Sequence, residues 1–424
     1  MHAEAVNINV DEVIEAGPIA PQRALSRLMW LFVLVGLVTF TVALFTEAPA
    51  HLWGAYYATL LLFMGLAAGG VMITVIFQIV RATWSPGIRR IAEANVSFLP
   101  WAFMLFLCSY FGREALFPWA RGLMPGREWW MRPDFVYLRF ALLMGLLFFL
   151  MWRFVKMSLR GDVGMVRERT GGLHGWIYDH IAGGWRGLKE EVYSIQPKMS
   201  WNGPVLVACY AVIWSLFSFE MVMGMDTIWY SNMFGGFQFV GNIYIAWAIL
   251  GITCIYLARI SRPYSRVITT AQLWDLGKLC FGFCMLWGYM FFSQFLPQWY
   301  GNLPEETQWM ILRTRDWDLP WIRLAWVTFA MCFILPFILL LSRDVKKTPK
   351  YFAAVGVIIF LGVWLEKYMI IMPQLFPERI PFNYVEVGIF LGFLGAYVLS
   401  IQSFLAKFPF VPVSSPLTKG DTKW

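Results

Sequence analysis

Charge is scarce in this 424-residue chain: only 14% of its residues are Asp, Glu, Lys or Arg, where soluble domains carry about a quarter. With 59% hydrophobic residues and a mean hydropathy of +0.59, this composition excludes an ordinary soluble domain and points to a multi-spanning membrane protein. Histidine is scarcer still, at four: His2, His51, His174 and His180. His51 is expected at the outer mouth of a span and none at mid-membrane, which argues against a bis-histidine haem between helices. The six cysteines, Cys108, Cys209, Cys254, Cys280, Cys284 and Cys332, show no haem-attachment or iron–sulfur spacing. They all fall in apolar runs and read as small buried side chains. No phosphate-binding glycine loop and no metal motif is present, so neither nucleotide hydrolysis nor metal catalysis is encoded in visible form. A basic leader is missing too: Glu4, Asp11, Glu12 and Glu15 precede the first apolar run, and no signal peptide is expected.

What the chain does have is ten apolar runs, each near the ~20 residues that a membrane-crossing helix needs. They cover 26–46, 52–82, 96–112, 135–157, 204–223, 237–260, 272–297, 321–342, 351–373 and 384–406, with polar tails at 1–25 and 407–424. WSPGIRR, ISRPYSR, SRDVKKTPK and FPERIPF punctuate them. With the N-terminus inside, 23 of the 34 Lys and Arg fall in inner segments and 7 in outer ones, so both termini are expected in the cytoplasm. The net charge of +8 then lies on the face that meets anionic lipid and needs no nucleic acid to explain it. The segment 158–203 reads either as an interfacial amphipathic helix or as a linker.

Ionisable groups inside the runs require an explanation, because each costs at least ~2.5 kcal/mol in hydrocarbon unless it faces protein or water. Asp275 and Lys278 are three residues apart and share a helix face, which predicts an intrahelical pair turned into the bundle. Glu366 and Lys367 are adjacent, about 100° apart around a helix, which predicts divergent partners: Lys367 toward the outer surface and Glu366 inward. Arg139 and Arg323 sit where they can snorkel. Glu220 is expected as an unpaired carboxylate near the outer end of the fifth run, and Glu386 starts the tenth. A polar path is expected from Asp275 and Lys278, extended by Thr74 and Gln78, through Tyr289 and Ser293 to Glu220, Asp226 and Glu366.

A faint internal echo between SYFGREALFPWARGL and FFSQFLPQWYGNL, four spans apart, suggests two four-helix bundles, helices 2–5 and 6–9, with helices 1 and 10 flanking. Beyond that, the order and spacing of WGAYYATLLLFMGLAAGGVMITVIFQ, SFEMVMGMDTIWYSNMFGG and WDLGKLCFGFCMLWGYMFFSQFLPQWYGNLPEE resembles the NrfD-like, polysulfide-reductase-type membrane subunits. Within that family the likeness is to the ActF type of bacterial alternative complex III, over nearly the whole chain. The family's Pro-His after the position of Asp226 is replaced by Thr227 and Ile228.

The resemblance implies an all-α integral membrane subunit of a respiratory or photosynthetic quinol:cytochrome c oxidoreductase in the bacterial inner membrane. It implies partners as well: a sister NrfD-like (ActC-like) subunit that holds quinol, subunits carrying haem c and iron–sulfur clusters, small membrane subunits and lipid. This chain would bind no redox cofactor and would serve as a structural and proton-conducting part. By position in the family's motifs, Glu220, Asp275, Lys278 and Glu366 match acidic or basic places. Two other classes stay open: a quinol-binding NrfD-like subunit in its own right, and a secondary transporter. Against the latter, Pro100, Pro297, Pro320 and Pro373 cluster at helix ends rather than breaking helices at the midplane; Pro336 is the exception, expected to kink helix 8.

Overall fold

The structure, a computed structural model, describes residues 8–122, 126, 128–314 and 320–419; His2 and the outermost parts of both tails fall outside them. Among the described residues the chain is all helical, without strands, and ten helices are long and apolar enough to cross a membrane. This fits a multi-pass membrane protein. We number them as spans: 1, Arg23–Thr46; 2, Pro49–Ile79; 3, Pro86–Leu116; 4, Pro133–Thr170; 5, Leu188–Met225; 6, Phe234–Ile260; 7, Thr270–Gly301; 8, Trp321–Leu341; 9, Pro349–Leu375; 10, Tyr384–Leu405.

The helices overrun the apolar runs where polar sequence continues the same backbone. Span 4 extends to Thr170, where Gly171 at φ 64 closes it in the left-handed conformation that glycine tolerates. Span 5 begins at Leu188, so most of the segment between the fourth and fifth apolar runs belongs to these two helices. What remains holds a short helix, Trp176–Ala182, with Trp176 exposed. Asn302, from the WYGN turn, closes span 7 with φ 45. Span 3 is broken by tight helical turns at Ala94–Ser97 and Ser109–Gly112.

Span 2 is the axis of the molecule. It is apolar on every side, and 94% of its most apolar window is buried, whereas the same measure for span 1 is 17%. It packs against spans 3, 4 and 5 on one side and against spans 6, 9 and 10 on the other. Small residues make this possible: a Cβ added at Gly69 would lie 2.2 Å from the backbone oxygen of Asn242 in span 6. Spans 1 and 10 meet in the same way, with Gly36 set against Gly392 so closely that an added Cβ would approach that Cα to 2.4 Å.

Prolines inside spans are handled by neighbours. Pro336 has no N–H for the carbonyl of Cys332, and a wide π-helical turn, Ala330–Ile334, precedes it. Tyr244 of span 6 donates its hydroxyl to that carbonyl at 3.0 Å. The described segments before span 1 and after span 10 return to one face, the terminal face: Ile19 N–H donates to Leu405 O, and Val10, Val13, Phe408, Phe410 and Val411 are buried. The opposite, distal face carries the loops after spans 1, 3, 5, 7 and 9.

One expectation is corrected. Cys108 is exposed and Cys209 half-buried, because their faces of spans 3 and 5 point outward; the other four cysteines are buried. His51 lies in the first turn of span 2, at its mouth, and is buried there between Glu47 and Glu386.

Candidate functional site

Glu366 and Lys367 lie two turns from the distal end of span 9, and both are buried. The expected divergence does not occur. Lys367, 1% exposed, turns its flexible stem back to place Nζ 2.8 Å from Glu366 Oε1 and donates to Gln238 Oε1 of span 6 at 2.6 Å. Four methylenes span the 100° offset, which backbone geometry alone had suggested would separate the two heads. Glu366 Oε2 accepts a hydrogen bond from Trp287 Nε1 of span 7 at 2.8 Å. One ion pair thus ties spans 6, 7 and 9 together inside the protein. Such a pair is stable only when its remaining hydrogen-bonding capacity is used, and here both heads have a second partner.

Beyond Glu366 opens a cavity of about 110 Å³. Its walls are aromatic: Trp229 stacks on Trp309 at 4.1 Å and Trp287 on Phe291 at 5.5 Å, with Phe237 and Phe329 completing them. Arg313, on the short helix Pro304–Thr314, closes one end, buried and set 3.8 Å over the Trp309 ring. Its guanidinium donates to the carbonyls of Met369 at 2.9 Å and Ile370 at 3.0 Å. Pro373, four residues beyond Met369, has no N–H to reach that carbonyl, so the arginine supplies the missing donor. Burial lowers the Arg313 pKa to about 9, with the nearby Asp226 charge opposing the shift. Two polar atoms on the cavity wall, Trp229 Nε1 and Gln298 Oε1, are buried without a partner.

The other sequence candidates are dispersed. Asp226 accepts from Ile228 N at 2.9 Å, Trp229 N at 3.1 Å and Gln374 Nε2 at 2.6 Å, so it shapes the loop that delivers Trp229 to the cavity. Glu220 sits in a π-helical turn, Ser218–Val222, and is paired rather than free: Arg139 binds it, Trp130 Nε1 donates to it at 3.1 Å, and the same arginine stacks on the Trp130 ring. Asp275 and Lys278 do form their pair, near the terminal end of span 7. Lys278, however, is half exposed and lies 4.5 Å over the Trp274 ring, on the outward side rather than in the bundle. Tyr289 is 60% exposed on the outward face of span 7, with Ser293 one turn along that face. Neither lies among the groups around Glu366.

A second buried cluster joins the distal ends of spans 2, 9 and 10. His51 Nδ1 lies 2.9 Å from Glu47 and Nε2 2.8 Å from Glu386, so each ring nitrogen faces a carboxylate. Tyr368 also reaches Glu386, and Asn383 bridges both acids through its backbone and side chain. Glu47, in the loop before span 2, is held below the usual carboxylate pKa, chiefly by the hydrogen bond from His51. A third cluster, at the terminal face, buries Arg89, Arg90, Glu93 and Asp162, all paired.

Sequence reasoning missed Lys367 as an interior group, and Gln238, Trp287 and Arg313 altogether. Only Arg313 left a trace, a cation four residues after Trp309 on a short amphipathic helix. No protein-family model and no curated protein matches the chain.

Proposed function

We propose that this chain is a membrane subunit of a quinol:cytochrome c oxidoreductase of the alternative complex III type. In this reading spans 2–5 and 6–9 form two four-helix bundles flanked by spans 1 and 10, the terminal face is cytoplasmic, and the membrane is a bacterial inner membrane. The chain holds no redox cofactor itself; haem c and iron–sulfur subunits and a quinol-holding sister subunit supply the electron chemistry. Its own part is structural and proton-conducting, with Glu366 as the relay. The observation that carries this is the buried Glu366–Lys367 pair beside a cavity: an intramembrane ion pair whose charges can be redistributed when a proton arrives or leaves. The motif resemblance supports the complex, and the cation bias supports the orientation.

Purification of the tagged chain from its native membrane, followed by haem and iron analysis, tests the assembly. Retention of haem c and iron–sulfur subunits is expected, and an isolated polypeptide would sink the reading. In the reconstituted complex, Glu366→Gln is expected to lower protons moved per electron while quinol oxidation continues; an unchanged ratio would refute the relay.

A second reading has a specific observation in its favour: the aromatic cavity, with orphaned Trp229 Nε1 and Gln298 Oε1, suits a planar ring bearing a hydrogen-bond acceptor and a donor. In that reading the chain binds quinol itself. Its volume is close to that of cavities known to take one benzene ring, about 150 Å³. Quinone extracted from the isolated chain, and lost on Trp229→Ala, would favour this reading over the first.

A further inference from the structure

Between the middle of span 2 and the terminal face lies a line of buried polar groups that protein contacts leave unsatisfied. Thr74 and Gln78 are one helical turn apart on span 2 and fully buried. Thr74 Oγ1 and Gln78 Oε1 have no hydrogen-bond partner. Gln78 Nε2 donates to Gln196 Oε1 at 3.1 Å and to Ser200 Oγ at 3.4 Å, both on span 5. Gln196 in turn lines a cavity of about 10 Å³ with Arg89, Ser158, Ser414 and Ser415. Here Arg89 Nη1 and Ser415 Oγ are also orphaned.

Packed interiors rarely leave such atoms unpaired, and a polar space of this size holds one water, which needs two to four polar partners. A water in that cavity would satisfy Arg89 Nη1 and Ser415 Oγ. Asn95, also buried against span 2, differs: Ile91 O, Ala92 O and Tyr397 OH occupy its amide, so it fixes structure. On span 6, Trp247 Nε1 is orphaned beside Phe77, and nearer the distal side so is Gln238 Nε2, on the residue that also receives Lys367. Asn242, one turn deeper on span 6, lies against Gly65 and Gly69. Thr74 is five residues from Gly69, about 7.5 Å of helix rise, so the two halves approach at the glycine waist of span 2.

We propose that water runs from the terminal face past Ser415, Arg89 and Gln196 to Gln78 and Thr74, forming the uptake half of a proton route that ends at Glu366. Asp275 and Lys278, paired with each other near the terminal end of span 7, are not among these groups. This rests on the reading of Glu366 as a relay; it keeps Thr74 and Gln78 from the path expected in the sequence and leaves out Asp275, Lys278, Tyr289 and Ser293. Neutral amides and hydroxyls carry no net proton; they hold the water file through which the proton hops, and each transfer returns the donor water to its original state.

The test uses the full chain in lipid vesicles, with a potassium diffusion potential set by valinomycin and proton influx read from an entrapped pH dye. Thr74→Val and Gln78→Leu are each expected to slow influx at least about tenfold, Gln78→Asn to restore most of it, and Asp275→Asn to leave it unchanged. Intact folding is checked by tryptophan emission and gel-filtration profile. Influx that falls with Glu366→Gln but not with Thr74→Val or Gln78→Leu would overturn this route while leaving the relay standing. Loss on Asp275→Asn with Gln78→Leu unaffected would do the same in favour of the span 7 path. No influx through the unsubstituted chain would overturn both the relay and the route.

Discussion

Substituting Lys367 with methionine removes the cation from a site where Glu366 and Lys367 are 5% and 1% exposed. The remaining carboxylate would keep only the Trp287 indole N–H as a donor, and Gln238 Oε1 would lose its partner. Breaking a buried ion pair from one side destabilises by about 3–5 kcal/mol, because an uncompensated charge stays in a low-dielectric interior. Replacing both partners removes that charge altogether. Glu366→Gln retains an oxygen for the Trp287 donor, and methionine fills the lysine stem's volume, so the double variant is expected within about 1 kcal/mol of the parent. Glu366→Gln alone leaves the lysine charge unpaired at a similar cost, so the predicted coupling energy, both single costs less that of the double variant, is about 5–9 kcal/mol. Equilibrium unfolding in mixed detergent micelles, followed by tryptophan fluorescence, measures all four corners of the cycle. A double variant as unstable as Lys367→Met alone would refute the argument, since it would mean that shape or the lysine stem, not the unpaired charge, sets the cost.

Three further outcomes follow from the geometry. Arg313→Lys is expected to destabilise by about 1–3 kcal/mol in the same unfolding assay, since an ammonium cannot reproduce the planar fork that serves Met369 O and Ile370 O while stacking on Trp309. Gly36→Val should cost about 1–3 kcal/mol or more, since the added atoms meet the Gly392 backbone, and limited proteolysis should then cut the loop between spans 1 and 2 faster. Glu47 has a pKa lowered from the ordinary 4.5, chiefly by His51, so its contribution to stability is complete above that ordinary value and is lost as pH falls through the lowered one. The acid limb of an unfolding-versus-pH curve should flatten in Glu47→Gln; an identical limb would show that the carboxylate makes no such contribution.

The ten spans were legible in the sequence because hydropathy reports burial in lipid and in protein alike: every helix that is apolar enough was visible as a run. Helix ends were less so. Spans 4 and 5 run on through polar sequence at the terminal face, where water and tail packing satisfy side chains that hydropathy counts against a helix. Asp275 and Lys278 were readable as a pair because spacing on one helix fixes that contact. Their orientation was not, since which face of span 7 meets the bundle is set by spans 6 and 8.

Composition and hydropathy alone specify ten apolar helical spans, the bias of the cations, and the short list of charges that hydrocarbon would not tolerate. Tertiary structure alone decided what those charges do. Lys367 turns inward because Gln238, on another helix, offers an acceptor; Glu220 is neutralised by an arginine 81 residues away; and His51 meets Glu386, 335 residues away. These are contacts across long stretches of chain, made where one span packs against another. Local periodicity carries the faces of one helix, not the identity of the face that meets it.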